Sequence, residues 1–162
     1  MQMTSRGDRG AAAVEFALVV PLLIGILLAI VDFGVWFTDS VGVKDGTRSG
    51  ARAGVVTDFG NDPDCVGTPT AKTACVTKER IGIIGGPIAV RVVASGNQWV
   101  EGRQLLVCAA VKEAGMTGLT PLPKDGVLRA KTKMRIEVTA ATPAVPPYAD
   151  SDPSGDDWSW CT

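Results

Sequence analysis

The chain contains no histidine, and that absence removes most hydrolytic and acyl-transfer chemistry. Without an imidazole, neither a Ser-His-Asp nor a Cys-His arrangement can be assembled. No Cys-x-x-Cys pair occurs either, so a zinc site would have to gather four widely scattered thiolates. No glycine-rich loop ending in Lys-Ser or Lys-Thr is available to cradle a phosphate. Charge of one sign is also missing: the net charge is −1, with no basic footprint for nucleic acid. Carboxylates are densest at Asp150, Asp152, Asp156 and Asp157, in a tail expected to form no rigid site. These absences argue against an enzyme, a cofactor, a metal centre and a nucleic-acid partner.

What is present is a long apolar run. Residues 17–31 carry no charge, and apolar character resumes over residues 33–37. Residues 11–37 are interrupted only by Glu15 and Asp32, and the run is long enough to cross a bilayer, which needs about 20 mostly apolar residues as a helix. A lone ionisable group costs roughly 2.5–3.5 kcal/mol at the membrane centre and less near its edge. Glu15 therefore either lies at the interface or has a partner. A secretory signal would end in a small-residue cleavage site, but Asp32-Phe-Gly-Val-Trp-Phe stands in that place. Pro21 predicts a kink rather than an end, because membrane helices tolerate proline. The triplet Arg6-Gly7-Asp8 is similar to an adhesion motif, but three residues arise easily by chance.

The opening Arg9-Gly-Ala-Ala-Ala-Val-Glu-Phe-Ala-Leu-Val-Val-Pro resembles that of TadE-like proteins, the minor pilins or pseudopilins of tight-adherence (type IVc) pili. Val43-Lys-Asp-Gly-Thr-Arg-Ser-Gly-Ala-Arg-Ala-Gly-Val resembles a second block of that family, and Leu128-Arg-Ala-Lys-Thr-Lys-Met-Arg-Ile-Glu is weakly similar to its closing strand. Residues 57–103 carry no resemblance. The likeness implies a leader, residues 1–10, removed by a prepilin peptidase between Gly10 and Ala11. It also implies assembly roles for Glu15 and Phe16, at the fifth and sixth mature positions. Its implied partners are the peptidase, other pilin subunits, the assembly platform and the membrane.

Cleavage there would leave a cationic α-amine on Ala11, four positions from Glu15 and on the same side of the first turn. A carboxylate unpaired in lipid is costly, and pairing with a neighbouring subunit's amine offsets that cost.

Beyond the membrane segment, residues 38–56 should continue the helix. Gly42, Gly46, Gly50 and Gly54 recur every four residues, and such a stripe admits the close approach of another backbone. The glycines are expected to face the domain's own sheet or a neighbouring helix; the alternative is a glycine-rich linker. Lys44, Arg48 and Arg52 should form a solvated basic stripe on the opposite side.

The fold class expected is α+β and pilin-like, a long N-terminal helix packed on a small antiparallel β-sheet. The soluble α+β domain would span residues 57–139. Within it, residues 70–84 predict a short helix ended by Gly85-Gly-Pro. Residues 88–94 and 104–111 read as strands joined in a hairpin. A third strand follows Asp125-Gly126, with Leu128, Ala130, Thr132, Met134, Ile136 and Val138 on one face and a basic face opposite.

Four cysteines allow three pairings. In a small exported domain they read as two disulfides, with Cys65–Cys75 closing a short loop and Cys108–Cys161 pinning the tail; free buried thiols are the alternative. Residues 140–162 form a Pro-rich acidic tail whose end, with Trp158 and Trp160, should dock on the domain or, alternatively, present aromatics for adhesion.

Counting flanking Lys and Arg leaves orientation nearly balanced. The resemblance and the cysteines place the domain outside a cytoplasmic membrane spanned once. The function expected is that of a minor pilin or pilus-assembly subunit, extracellular once assembled. The alternative is an unprocessed, membrane-anchored binding domain or adhesin.

Overall fold

In a computed structural model of the chain, residues 7–60, 63–82, 86–118 and 121–162 are described, with the side chains of residues 7–9 excepted. The leader up to Arg6 lies outside them, as do residues 61–62 and the expected end of the short helix at residues 83–85.

Helix α1, Gly7–Val55, is a single element of 49 residues that runs through Pro21. At 1.5 Å per residue it is about 70 Å long. The glycine-rich stretch is therefore helix, not linker. Helix α2, Pro69–Arg80, starts where Thr68 caps it, the Thr68 hydroxyl accepting from Ala71 N at 3.3 Å with Pro69 at the first position. It stops at Arg80 rather than residue 84, because Ile81 leaves helical geometry while its N–H still bonds the last turn.

Strands β1 (Ile88–Ala94), β2 (Gln104–Lys112), β3 (Val127–Arg135) and β4 (Tyr148–Ala149) form one antiparallel sheet in the order β3-β2-β1-β4. In its interior Val90 lies opposite Ala109, and Ala109 opposite Ala130. On one face α1 lies against β2 and β3, with α2 against β1. The core there gathers Val43, Ala51, Val55, Val90, Leu105 and Trp99. The C-terminal tail covers the other face, where Trp158 and Cys161 pack on Ala89, Cys108 and Ala110. Coverage on both sides explains why β2 reads as a continuous apolar run instead of alternating.

One further expectation is corrected. The alternation predicted through Val138 ends with β3 at Arg135; Ile136 stays buried but Val138 is 44% exposed. There the chain turns so that Glu137 N and Val138 N both donate to Val55 O, satisfying a carbonyl that the end of α1 would leave open.

The end of the tail docks on the domain as expected, and the tail is also tied down along its length. Trp99 N donates to Pro143 O at 2.6 Å, and Val145 N to Asn97 O at 2.9 Å. Asp150 accepts from Val90 N at 2.8 Å and pairs with Lys78 at 2.9 Å. Disulfides join Cys65 to Cys75 and Cys108 to Cys161. The first fastens the loop before α2 to that helix, and the second fastens the tail to β2.

Candidate functional site

The chemistry of this molecule is concentrated on α1, whose two halves live in different surroundings. No residue from 10 to 31 is buried. Gly10, Ala11 and Glu15 are exposed at the front of the helix, and Phe16 is 69% exposed beside them. Leu18, Leu22, Ile26 and Ile30 continue the bare apolar surface. Over residues 11–31 this surface runs for about 30 Å, the thickness of a bilayer's hydrocarbon core. By length and composition the helix can cross a membrane. Water is a poor solvent for such a surface; lipid or other apolar helices suit it.

From Asp32 onward one side of the helix is buried at positions 32, 39, 43, 46, 47, 50, 51, 54 and 55, a helical period. Gly46, Gly50 and Gly54 face α2. A Cβ on Gly46 would come within 2.8 Å of the Ile81 backbone, one on Gly50 within 2.8 Å of Thr77 Cα, and one on Gly54 within 2.8 Å of Thr73 Oγ1. Gly42, the first of the series, is half-buried. The stripe thus closes an intramolecular helix pair. Thr73 and Thr77 suit it because their hydroxyls donate back to Pro69 O (2.7 Å) and Thr73 O (2.6 Å), leaving no buried donor open. Lys44, Arg48 and Arg52 are exposed.

Sequence reasoning missed the group that joins the two halves. Asp32 registered only as an interruption of the apolar run, and Asp39, Glu113 and Thr117 did not register. In the fold, Thr117 donates to Asp32 through its N–H, at 3.0 Å, and through its hydroxyl. Glu113, at the end of β2, hydrogen-bonds Asp39. Burial first, and then the hydrogen bond and charge of Asp39, push the Glu113 carboxyl up to about 7. The seven-residue spacing of Asp32 and Asp39, two helical turns, is the only sequence signal that could have linked any of them.

The tail carboxylates behave in the opposite sense. Burial opposes ionisation of Asp152, but donation from Ser154, Trp158 and Trp160 outweighs it and holds the carboxyl below its ordinary range. Burial likewise opposes the charge on Lys78, and Asp150 with Tyr148 overcomes it, raising that ammonium. Both are docking contacts of the tail. Cys65, Cys75 and Glu79 approach one another, but the disulfide removes both thiolates as metal ligands.

An exposed apolar helix continues without a break into the spine of a small disulfide-bonded domain, an α+β architecture of one long N-terminal helix packed on a small antiparallel sheet. Residues 10–52 match the family of TadE-like proteins, which the N-terminal motif resembles. The matched segment covers nearly all of α1 and none of the sheet, and it associates the protein with tight-adherence pili and a membrane. Neither the curated proteins nor the solved structures gave a match.

Proposed function

We propose that the protein is a minor pilin or assembly subunit of a tight-adherence pilus. A prepilin peptidase trims it between Gly10 and Ala11, and it enters the fibre through the first half of α1. The carrying observation is the coincidence of the TadE-like segment with a helix whose apolar surface the domain leaves uncovered. Before assembly it waits in the cytoplasmic membrane, spanning it once, with the domain outside; two disulfides favour that oxidising side. Its role is structural rather than catalytic, in keeping with a chain that holds no histidine.

Intact mass and N-terminal sequencing of the protein from its host, with and without the peptidase, test this reading. A chain starting at Ala11 only when the peptidase is present is the expected result. A chain starting near Met1 in both strains would refute processing and leave an anchored binding domain. Glu15→Gln is expected to reduce incorporation into pili at least tenfold while cleavage continues. The comparison to make is immunoblot recovery from sheared pili against recovery from membranes, and normal incorporation counts against the assembly role of Glu15.

A further inference from the structure

A link of about two to five residues suffices to join neighbouring antiparallel strands, yet residues 113–126 connect β2 to β3. A connection facing water normally carries polar side chains. Residues 114–123 contain no charged one, and Ala114, Met116, Pro121 and Pro123 stand exposed. Met116 is 65% exposed, which is costly for an apolar side chain of its size in water.

Asp32 fixes where this connection meets α1. It accepts the Thr117 N–H at 3.0 Å and the Thr117 hydroxyl as well. A Cβ on Gly115 would lie 3.8 Å from Asp32 Cγ and 3.6 Å from Leu122 Cδ1, so both limbs of the connection gather at this level. Asp32 directly follows the uncharged run of residues 17–31. When α1 spans a bilayer, residues 11–31 fill the hydrocarbon core and Asp32 stands at its edge. The contacts of α2 with Gly46, Gly50 and Gly54 lie about 20 to 33 Å further along the axis. The connection is thus set at the bilayer's edge and α2 well beyond it.

Its surroundings suit that depth. Trp36 and Phe37 follow one turn later on α1 with ring centroids 5.1 Å apart, and Phe37 is exposed. Membrane proteins place such aromatics at the headgroup level. Lys112 and Lys124 are exposed at the two ends of the connection, where their stems can follow apolar surface while the ammonium groups stay among headgroups. Asp125, also exposed, follows Lys124 on the side leading back to β3.

We propose that the β2–β3 connection is a second membrane-contacting element, which seats Met116 in the interfacial layer of the bilayer that α1 spans. Lipid is the occupant because this apolar surface adjoins the bare half of α1 at the level where that half ends. The arrangement serves Asp32, since Thr117 brings it two donors at a depth where water is scarce and a carboxylate costly. It also orients the domain. One helix sets the domain's height above the bilayer, and a second contact to the side of that helix sets its tilt.

The inference rests on the reading of α1 as a membrane span, and the test separates the two. All four cysteines are in disulfides, so one added cysteine can be labelled alone. The full chain is placed in phosphatidylcholine nanodiscs with a bimane label on Ile26→Cys, Met116→Cys or Val138→Cys. Val138 is exposed beside the far end of α1, where its N–H donates to Val55 O, and serves as the water-side control. Lipid brominated near the headgroup end of its chains should quench the Met116 label at least twofold, and lipid brominated deep in its chains should quench the Ile26 label. Iodide should quench the Val138 label at least threefold more than the Met116 label. Pro121→Cys, exposed on the other limb, replaces Met116→Cys should that variant fail to fold. A lipid-quenched Ile26 label beside a Met116 label that behaves like Val138 would overturn the second contact and leave the anchor standing. A Met116 label shielded from both quenchers would overturn it too, by showing protein cover instead of lipid. An Ile26 label quenched by iodide and not by lipid would overturn the anchor and this inference together.

Discussion

Gly50→Leu is expected to destabilise the protein by about 3 kcal/mol or more, the upper range for overpacking a tight interior. The loss has a definite origin. A Cβ at this position already lies 2.8 Å from Thr77 Cα, which is backbone and cannot rotate away. Carbon atoms rest at about 3.5–4.0 Å, so α2 would have to retreat by about 1 Å along the crossing. That retreat also loosens the neighbouring contacts of Gly46 with Ile81 and of Gly54 with Thr73 and Leu105. The informative control is Gly34→Ala on the same helix, where an added Cβ meets nothing within 4 Å. There the gain in helix propensity, up to about 1 kcal/mol, should appear unopposed. Thermal denaturation of both variants in detergent, followed by near-ultraviolet circular dichroism, makes the comparison. If the two melted alike, the close α1–α2 crossing would not be the reason for the glycine stripe.

Removing the Cys108–Cys161 disulfide should be the other large effect. Its ends are 53 residues apart, against 10 for Cys65–Cys75. The chain-entropy relation gives about 4 kcal/mol for the longer closure and about 2.7 kcal/mol for the shorter. The paired variant Cys108→Ala/Cys161→Ala should also release what the disulfide holds in place. Trp158, 3% exposed and packed on Cys108 and Ala110, would be freed together with the hydrogen bond from its indole Nε1 to Asp150 O at 2.8 Å. Chemical denaturation should therefore rank this variant below Cys65→Ala/Cys75→Ala, and proteolysis should newly cut the chain after residue 150. An equal ranking with an intact tail would show that the remaining tail contacts suffice without the bond.

The parts of this fold that could be read from sequence are those built on a short period. The uncharged run of residues 17–31 announces the exposed half of α1, and the glycines at every fourth position announce a close crossing. β1 falls at Ile88–Ala94 as expected, because its β-branched run is bounded by Gly86-Pro87 and by Ser95-Gly96-Asn97. What escaped has no period. β4 is two residues long, and its place beside β1 depends on Asp150 receiving Val90 N and Lys78, partners 60 and 72 residues away. Docking of the tail's end could be read from Trp158 and Trp160, but the partners of its carboxylates could not, because they accept mainly from tail residues and from α2, contacts that only the folded chain brings together. The Asp32–Thr117 and Asp39–Glu113 contacts escaped for the same reason. Nothing local at position 113 says that a helix over 70 residues earlier will supply its partner. The faces of the helix were legible, whereas its partner was not: α2 is poor in large apolar residues and meets the glycines through threonines.

The Cys108–Cys161 bond also settles how the domain would bear a mechanical load. Tension applied at residue 162 crosses one peptide unit to Cys161 and then passes through sulfur into β2, a strand held by neighbours on both sides. The 53-residue span closed by the bond, about 180 Å if drawn straight, lies off the force path and cannot unspool. A pull from that end meets an interior strand first, and the thin edge strand β4 stays slack.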